Sequence, residues 1–378
     1  MRTFDAAIAG AGLIGSAIAL ELAEAGLRVA VFDRQEPGKE ASWASAGILS
    51  PAPESSAMIP LVPLGKASMK LYPEFIERVE GIARIQTGYR AKGTLNAIDS
   101  AQAREQLSTV VALHRGLGLA AEPLSAAEAR ELEPALSEEI EAGVLRPDEA
   151  SVDNRELTKA VQEAARRSGA EIFSEKSVDR IRIEAGRCTG MAAGGEEISA
   201  GQTIIAAGCF CGNIEGAAQH APVRPAKGQM ISLRCDAVRI ERVLWSDEIY
   251  LVPRNDGRIL AGATVEYVGF EKTVTAGGVQ KLLAAATALA PELSASRIEA
   301  MWAGLRPDTP DHLPILGPAD VDGLLFATGH FRSGVLLTPV TAKLIREWVM
   351  NKTVAADLGR FSPRRFQQSA TSAAAVSL

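Results

Sequence analysis

The fold is decided by residues 5–34, DAAIAGAGLIGSAIALELAEAGLRVAVFDR. The apolar residues Ala6, Ala7, Ile8 and Ala9 run into Gly10, Gly12 and Gly15 in G-x-G-x-x-G spacing. A stretch rich in Ala, Leu and Glu follows over residues 16–25 and stops at Gly26. Val29, Ala30, Val31 and Phe32 then lead into Asp33. This order predicts a strand, a tight turn, a helix and a second strand that ends on an acid. Gly10 permits the turn, Gly12 lets the backbone approach a pyrophosphate, and Gly15 lets helix and strand pack closely. The amides and dipole at the helix N-terminus favour an anion there. Asp33 would accept hydrogen bonds from an adenosine ribose and would repel a 2′-phosphate, which disfavours NADP. The competing interpretation is a glycine-rich turn in an ordinary βαβ unit. The flanking strand, the helix and the placed acid favour a dinucleotide site, but they do not choose between FAD and NAD.

With 378 residues, the chain exceeds what one core usually serves, so two joined domains are expected. The net charge of −6 is small, with 40 basic and 46 acidic residues mixed along the chain. No basic block points to nucleic acid, and no polybasic helix points to a membrane surface. No apolar run is long enough to span a bilayer. Residues 6–20 have the hydropathy of a signal-peptide core, but the glycines and the helix behind them make one working motif, so a cytoplasmic chain is expected. Cys188, Cys209, Cys211 and Cys235 fit no zinc spacing and read as free thiols of a reducing compartment. The four histidines are too scattered for a metal site, and no metal is expected.

Beyond Asp33, small residues surround one tryptophan over residues 41–47, which suits a backbone passing close to a flat ligand. Four prolines make residues 51–63 irregular, a possible lid. Residues 64–84 are read as helical with a break at Pro73, and 101–117 as a further helix. Ser125 and Glu128 fit a capping box. Asp153 caps a helix over 155–167. A small meander covers 178–199, and a buried strand over 203–207 ends at Gly208. Residues 229–263 alternate in β fashion, with a hairpin turn at Asn255-Asp256-Gly257. A helix at 279–290, a strand at 297–303 and a closing helix at 335–350 complete the chain. Nucleotide-type segments thus lie at the start, middle and end, with antiparallel segments between them. The expected fold class is α/β: a discontinuous Rossmann-like dinucleotide domain with an inserted α+β antiparallel-sheet substrate domain. The expected division gives residues 1–88, 142–218 and 300–366 to the first domain, 89–141 and 219–299 to the second, and 367–378 to a flexible tail.

Five segments together resemble the D-amino-acid oxidase superfamily of FAD-dependent flavoproteins. They are the glycine motif, Ala41-Ser42-Trp43-Ala44-Ser45-Ala46-Gly47-Ile48-Leu49, Ala206-Ala207-Gly208, Gly304-Leu305-Arg306-Pro307, and residues 329–337 from Gly329-His330-Phe331-Arg332 onward. The second and last are most similar to the glycine oxidase branch tied to thiamin synthesis. The resemblance implies noncovalent FAD. Gly10, Gly12 and Gly15 would hold its pyrophosphate, and Asp33, with Arg34 beside it, its ribose. Ser42, Ala46 and Gly47 would meet the ribityl chain and flavin edge, Val178 the adenine, and Gly208 another part of the FAD. Arg332, Ser333, Gly334, Val335 and Leu336 would line the flavin. Relatives often carry Glu where this chain has Asp33. No Cys or His stands where a covalent flavin anchor is expected.

The resemblance also implies oxidation of a small amine acid (glycine, sarcosine or a D-amino acid) to a 2-oxo acid, ammonia or amine, and hydrogen peroxide. Arg306 and Tyr250 would bind the substrate carboxylate, with Arg332 reaching the same site. For Arg306 the competing role is a salt bridge to Asp308 or Asp311; for Tyr250 it is a packed aromatic, and for Arg332 a contact to a neighbouring loop. The electron acceptor would be O2 or, in a dehydrogenase, a quinone. A non-catalytic flavin protein and an NAD-dependent dehydrogenase are the remaining alternatives. A homo-oligomer is expected.

Overall fold

The opening strand Arg2–Ala9 lies inside an eight-stranded sheet, parallel to Val29–Phe32 on one side and Glu196–Ile205 on the other. Its alternate side chains feed two cores. Ala6 and Ile8 pack with Ile18, Leu22 and Leu157 beneath the helices Leu13–Glu24, Asn154–Arg167 and Thr338–Asn351. Ala7 and Ala9 pack with Phe32, Ile181, Met191 and Phe326 on the other face. The central parallel strands are buried on both faces over residues 6–9, 29–32 and 203–205, which is why these segments read as continuous apolar runs. The computed structural model describes residues 2–235, 238–354 and 358–366. The expected tail at 367–378 lies outside the described residues.

A second eight-stranded sheet, largely antiparallel, runs in the order Arg297–Asp308, Arg224–Arg234, Arg258–Gly262, Tyr250–Pro253, Val243–Trp245, Thr94–Ile98, Ala142–Arg146, Glu122–Ser125. The helix Ala276–Leu289 covers one face through Leu282, Ala286 and Leu289. Residues 142–146 and 300–308, which the expected division gave to the nucleotide domain, pair within this second sheet. Short apolar runs of this kind do not reveal which sheet they will join.

Local signals predicted other elements closely. Ser125 Oγ accepts from Glu128 N while the Glu128 carboxylate accepts from Ser125 N, a complete capping box. Asp153 caps Asn154–Arg167 by accepting from Arg155 N and Glu156 N. Other boundaries differ from expectation. The helix Val62–Ala83 continues through Pro73, its apolar face packed on the first core through Leu64, Tyr72, Phe75, Ile76 and Val79. Residues 101–117 form two helices, Ala101–Glu105 and Leu107–Gly116. The last helix starts at Thr338, with Pro339 in its first turn, three residues later than expected. That delay leaves residues 335–337 outside the helix.

Candidate functional site

A cleft of about 340 Å³ runs from the first glycine turn to the second sheet. Every residue expected to touch cofactor or substrate lines it except Gly15, which lies beneath the turn.

At one end the turn is built for close approach. Gly10 has φ +101°, and a Cβ there would sit 2.5 Å from Ala206 O. A Cβ on Gly15 would sit 1.9 Å from Gly10 O. Asp33 Oδ2 accepts from Ala11 N at 2.9 Å, and Oδ1 from Gln35 N at 3.2 Å. Burial pushes the Asp33 carboxyl up, against these two donors, which hold it down. Arg34 stacks on the Phe210 ring and pairs with Glu40. Ser42 Oγ accepts from Leu13 N at 2.9 Å. Gly208 has φ +56°, and a Cβ there would meet no atom within 4 Å.

In the middle, residues 42–46 are held by their carbonyls. Asn154 Nδ2 donates to Ser42 O and Trp43 O, Arg155 Nε to Trp43 O, Trp302 Nε1 to Ala44 O, and Arg254 Nη2 to Ala46 O. The Arg155 guanidinium lies 3.7 Å from the Trp43 ring and 4.6 Å from the Trp302 ring. Among the described residues, the N–H groups of Ala46 and Gly47 meet no acceptor.

Residues 334–336 repeat the pattern. Thr338 Oγ1 donates to Gly334 O, Tyr72 Oη to Val335 O, and Ser68 Oγ to Leu336 O. The N–H groups of Gly334, Val335 and Leu336 meet no acceptor among the described residues, and all three residues line the cleft. Two loops therefore have their carbonyls tied back and their amides free beside one cleft. The open space at Gly208, the bare turn and these spare donors fit a dinucleotide ending in a flat, acceptor-rich ring system.

At the far end Tyr250 and Arg306 line the cleft with Gly228, Met230, Trp245 and Ala263. Arg306 lies on the strand Arg297–Asp308, opposite Ala226. Its Nη1 donates to Thr264 O at 3.1 Å and, weakly, to Lys227 O at 3.5 Å. Asp308 is occupied by Arg224, His312 and Tyr267, and Asp311 by Arg365. No carboxylate among the described residues pairs with Arg306, so the competing salt bridge is absent. A guanidinium without a carboxylate, in a cleft, suits a carboxylate ligand. Burial pushes the Tyr250 hydroxyl up, opposed by the neighbouring Arg306 charge. Its hydroxyl lies 3.7 Å from Met230 Sδ, a weak acceptor that leaves it available.

Arg332 does pair with a neighbouring loop, through Glu54 of the proline-rich segment. Burial pulls its guanidinium down. His330 is buried, its Nε2 3.2 Å from Thr341 Oγ1, and burial pulls its ring to about 3. It also lines the cleft, where burial favours the uncharged ring. Burial pushes the Cys209 and Cys211 thiols up to about 12 and 11. All four cysteines are free, and no group of three metal-binding side chains occurs among the described residues. Among the described residues, no helix is long and apolar enough to cross a membrane.

Sequence reading missed Glu54, Asn154, Arg254, Ser68 and Tyr72. Asn154 directly follows the helix-capping Asp153, and the proline cluster marked the Glu54 segment, but neither signal names a partner.

Comparison with known proteins gives the family. A family model described as FAD dependent oxidoreductase (DAO) matches residues 5–348. The bifunctional protein ThiO/ThiG of Synechocystis is 36% identical over 371 residues, covering 96% of this chain and 54% of that protein. The chain thus spans about half the length of such curated relatives. The glycine oxidase of Geobacillus kaustophilus is 34% identical over 366 residues, covering 96% of this chain and 97% of its own. A crystal structure of glycine oxidase from that organism superposes with a TM-score of 0.91 at 33% identity, covering 96% and 98% of the two chains.

Proposed function

Because the chain belongs to the FAD-dependent oxidoreductase family (DAO), we propose that it oxidises a small amine acid, glycine or sarcosine first, to a 2-oxo acid, ammonia or amine, and hydrogen peroxide. The observation that carries this reading is Arg306: a guanidinium in the cleft, held by main-chain carbonyls and paired with no carboxylate among the described residues. Likeness to glycine oxidases over nearly the whole chain supports the substrate class.

FAD would be held noncovalently and, when bound, would supply a two-electron acceptor for hydride from the amine-bearing carbon, with O2 as the final acceptor. The protein's part is to hold and orient. Gly10, Gly12 and the N-terminus of Leu13–Glu24 would hold the pyrophosphate, with Asp33 and Arg34 at the ribose. Ala46, Gly47 and the amides of residues 334–336 would meet the ring system, where donors stabilise negative charge developing on reduction. Arg306 and Tyr250 would grip the substrate carboxylate, fixing which face of the carbon is presented. Arg332, already paired with Glu54, would close the outer wall. No side chain in the cleft is assigned as an acid or base, so the substrate amine would react as its neutral form. The raised thiol of Cys209 supports noncovalent attachment.

A peroxide-coupled screen of the purified yellow protein against glycine, sarcosine, D-alanine and D-proline tests the reading. Peroxide with glycine or sarcosine is expected. Flavin bleaching without peroxide would replace O2 by an acceptor such as a quinone, and no bleaching with any amine acid would end the reading. Free thiols support a cytoplasmic location. A homo-oligomer is supported by exposed Ile298 and Met301 on the edge strand Arg297–Asp308, and sedimentation would test it.

A further inference from the structure

Arg306 is aimed from behind, by a network that does not reach the cleft. Gly228 lies against its guanidinium, and a Cβ there would come within 2.3 Å of Nη1. The two carbonyls that accept from Nη1 belong to Thr264 and Lys227. They sit on a short antiparallel bridge in which Lys227 N donates to Glu266 O at 2.8 Å and Glu266 N to Lys227 O at 2.9 Å. This bridge lies past the strand Arg258–Gly262, where the regular ladder no longer fixes the chain.

The side chain of Glu266 fixes it instead. Its Oε1 accepts from Thr264 Oγ1 at 2.5 Å and from Gln229 Nε2 at 2.8 Å, and its Oε2 lies 3.1 Å from the buried Lys227 Nζ. Gln229 N donates to Thr264 Oγ1, and Gln229 Oε1 accepts from Thr275 N, whose hydroxyl caps the helix Ala276–Leu289. Burial works against the Glu266 charge, but the three donors hold its carboxyl below the usual range. One carboxylate thus gathers the residues on both sides of the carbonyl pair, and removing it leaves a buried ammonium and a loosened chain.

We infer that Glu266 is a positioning residue for the carboxylate clamp: it sets the Thr264 and Lys227 carbonyls, and through them the direction in which Arg306 points. The inference rests on the clamp proposed above. Glu266→Ala, Glu266→Gln, Arg306→Ala and the Ala/Ala double variant test it in the FAD holoenzyme. Two readouts are needed: acetate binding by perturbation of the flavin spectrum, and KM and kcat for glycine. Glu266→Ala is expected to weaken acetate binding and raise KM by about tenfold, with kcat within about twofold and FAD content unchanged. Glu266→Gln, which keeps an acceptor for Thr264 but loses the Lys227 pair, is expected to shift both values the same way by less. It serves alone if the Ala variant does not fold. The double variant is expected to be no worse than Arg306→Ala. Unchanged acetate binding in both Glu266 variants, or an equal loss when Glu266 is removed from the Arg306→Ala protein, would overturn the inference and leave the clamp intact. Unchanged acetate binding in Arg306→Ala would overturn the clamp and the inference together.

Discussion

The two ends of the cleft are built in opposite ways. The dinucleotide end is local: turn, helix and acid lie within residues 10–33, and Asp33 reaches Ala11 N across 22 positions of chain. Its fit comes from absence, since Gly10 and Gly15 admit no Cβ. The proposed substrate end is assembled from distant strands, with Arg306 meeting carbonyls 42 and 79 positions away. Its fit comes from side chains held by main-chain carbonyls of distant segments. The first end fails when something is added, and the second when something is taken away.

The largest expected effect is at the local end. Gly15→Val places two methyls and a Cβ against the Gly10 carbonyl and is expected to abolish FAD retention, read as a colourless protein after gel filtration, with overpacking costing about 1–3 kcal/mol of stability. A yellow Gly15→Val protein would show that this turn does not bear on the cofactor. Next comes the distant end. Arg306→Ala is expected to cost about 3 kcal/mol in kcat/KM for glycine, roughly 100-fold, while FAD content stays at the wild-type level. The two variants should therefore separate cofactor loss from substrate loss, and a variant that lost both would blur the contrast.

A smaller effect is expected at Tyr72, whose hydroxyl holds the Val335 carbonyl in place. Tyr72→Phe should cost about 1–2 kcal/mol and weaken FAD binding, measured by titrating apoprotein with FAD. Equal FAD affinity would mean the 334–336 amides are set by packing alone.

The pH dependence concerns the shared framework. Burial pulls His330 from 6.5 to about 3 and His114 from 6.5 to about 4. In each case the unfolded state binds more protons between the two values. Stability is therefore complete above pH 6.5 and is lost as pH falls through that window. Urea midpoints should drop from pH 7 to pH 5, and His330→Gln should show a shallower drop. The smallest effect is expected at the thiols. With Cys209 and Cys211 pushed up to about 12 and 11, iodoacetamide at pH 8 should leave glycine turnover unchanged.

The same contrast explains what the sequence disclosed. The glycine turn, the helix behind it, the Ser125 capping box and the Asp153 cap were legible because each depends on residues a few positions apart. Arg306 stood in a recognisable segment and Tyr250 was expected only through the resemblance, and the surroundings of neither could be read. Nothing near Arg306 in the chain says that Asp308 is occupied by Arg224 and His312, or that Thr264 supplies a carbonyl. Arg254 holds the Ala46 carbonyl from 208 positions away, and Tyr72 holds that of Val335 from 263. Long-range hydrogen bonds of this kind have no periodicity to read, and strand partners such as Ala142–Arg146 are settled only when the sheet forms.

The central claim is that an Arg306 without a protein carboxylate presents a small amine acid to bound FAD. Anaerobic mixing of glycine with the yellow protein, wild type beside Arg306→Ala, tests it most directly. Rapid bleaching near 450 nm is expected in the wild type, with bleaching at the same glycine concentration at least about 100-fold slower in the variant. Equal bleaching rates in the two proteins would contradict it.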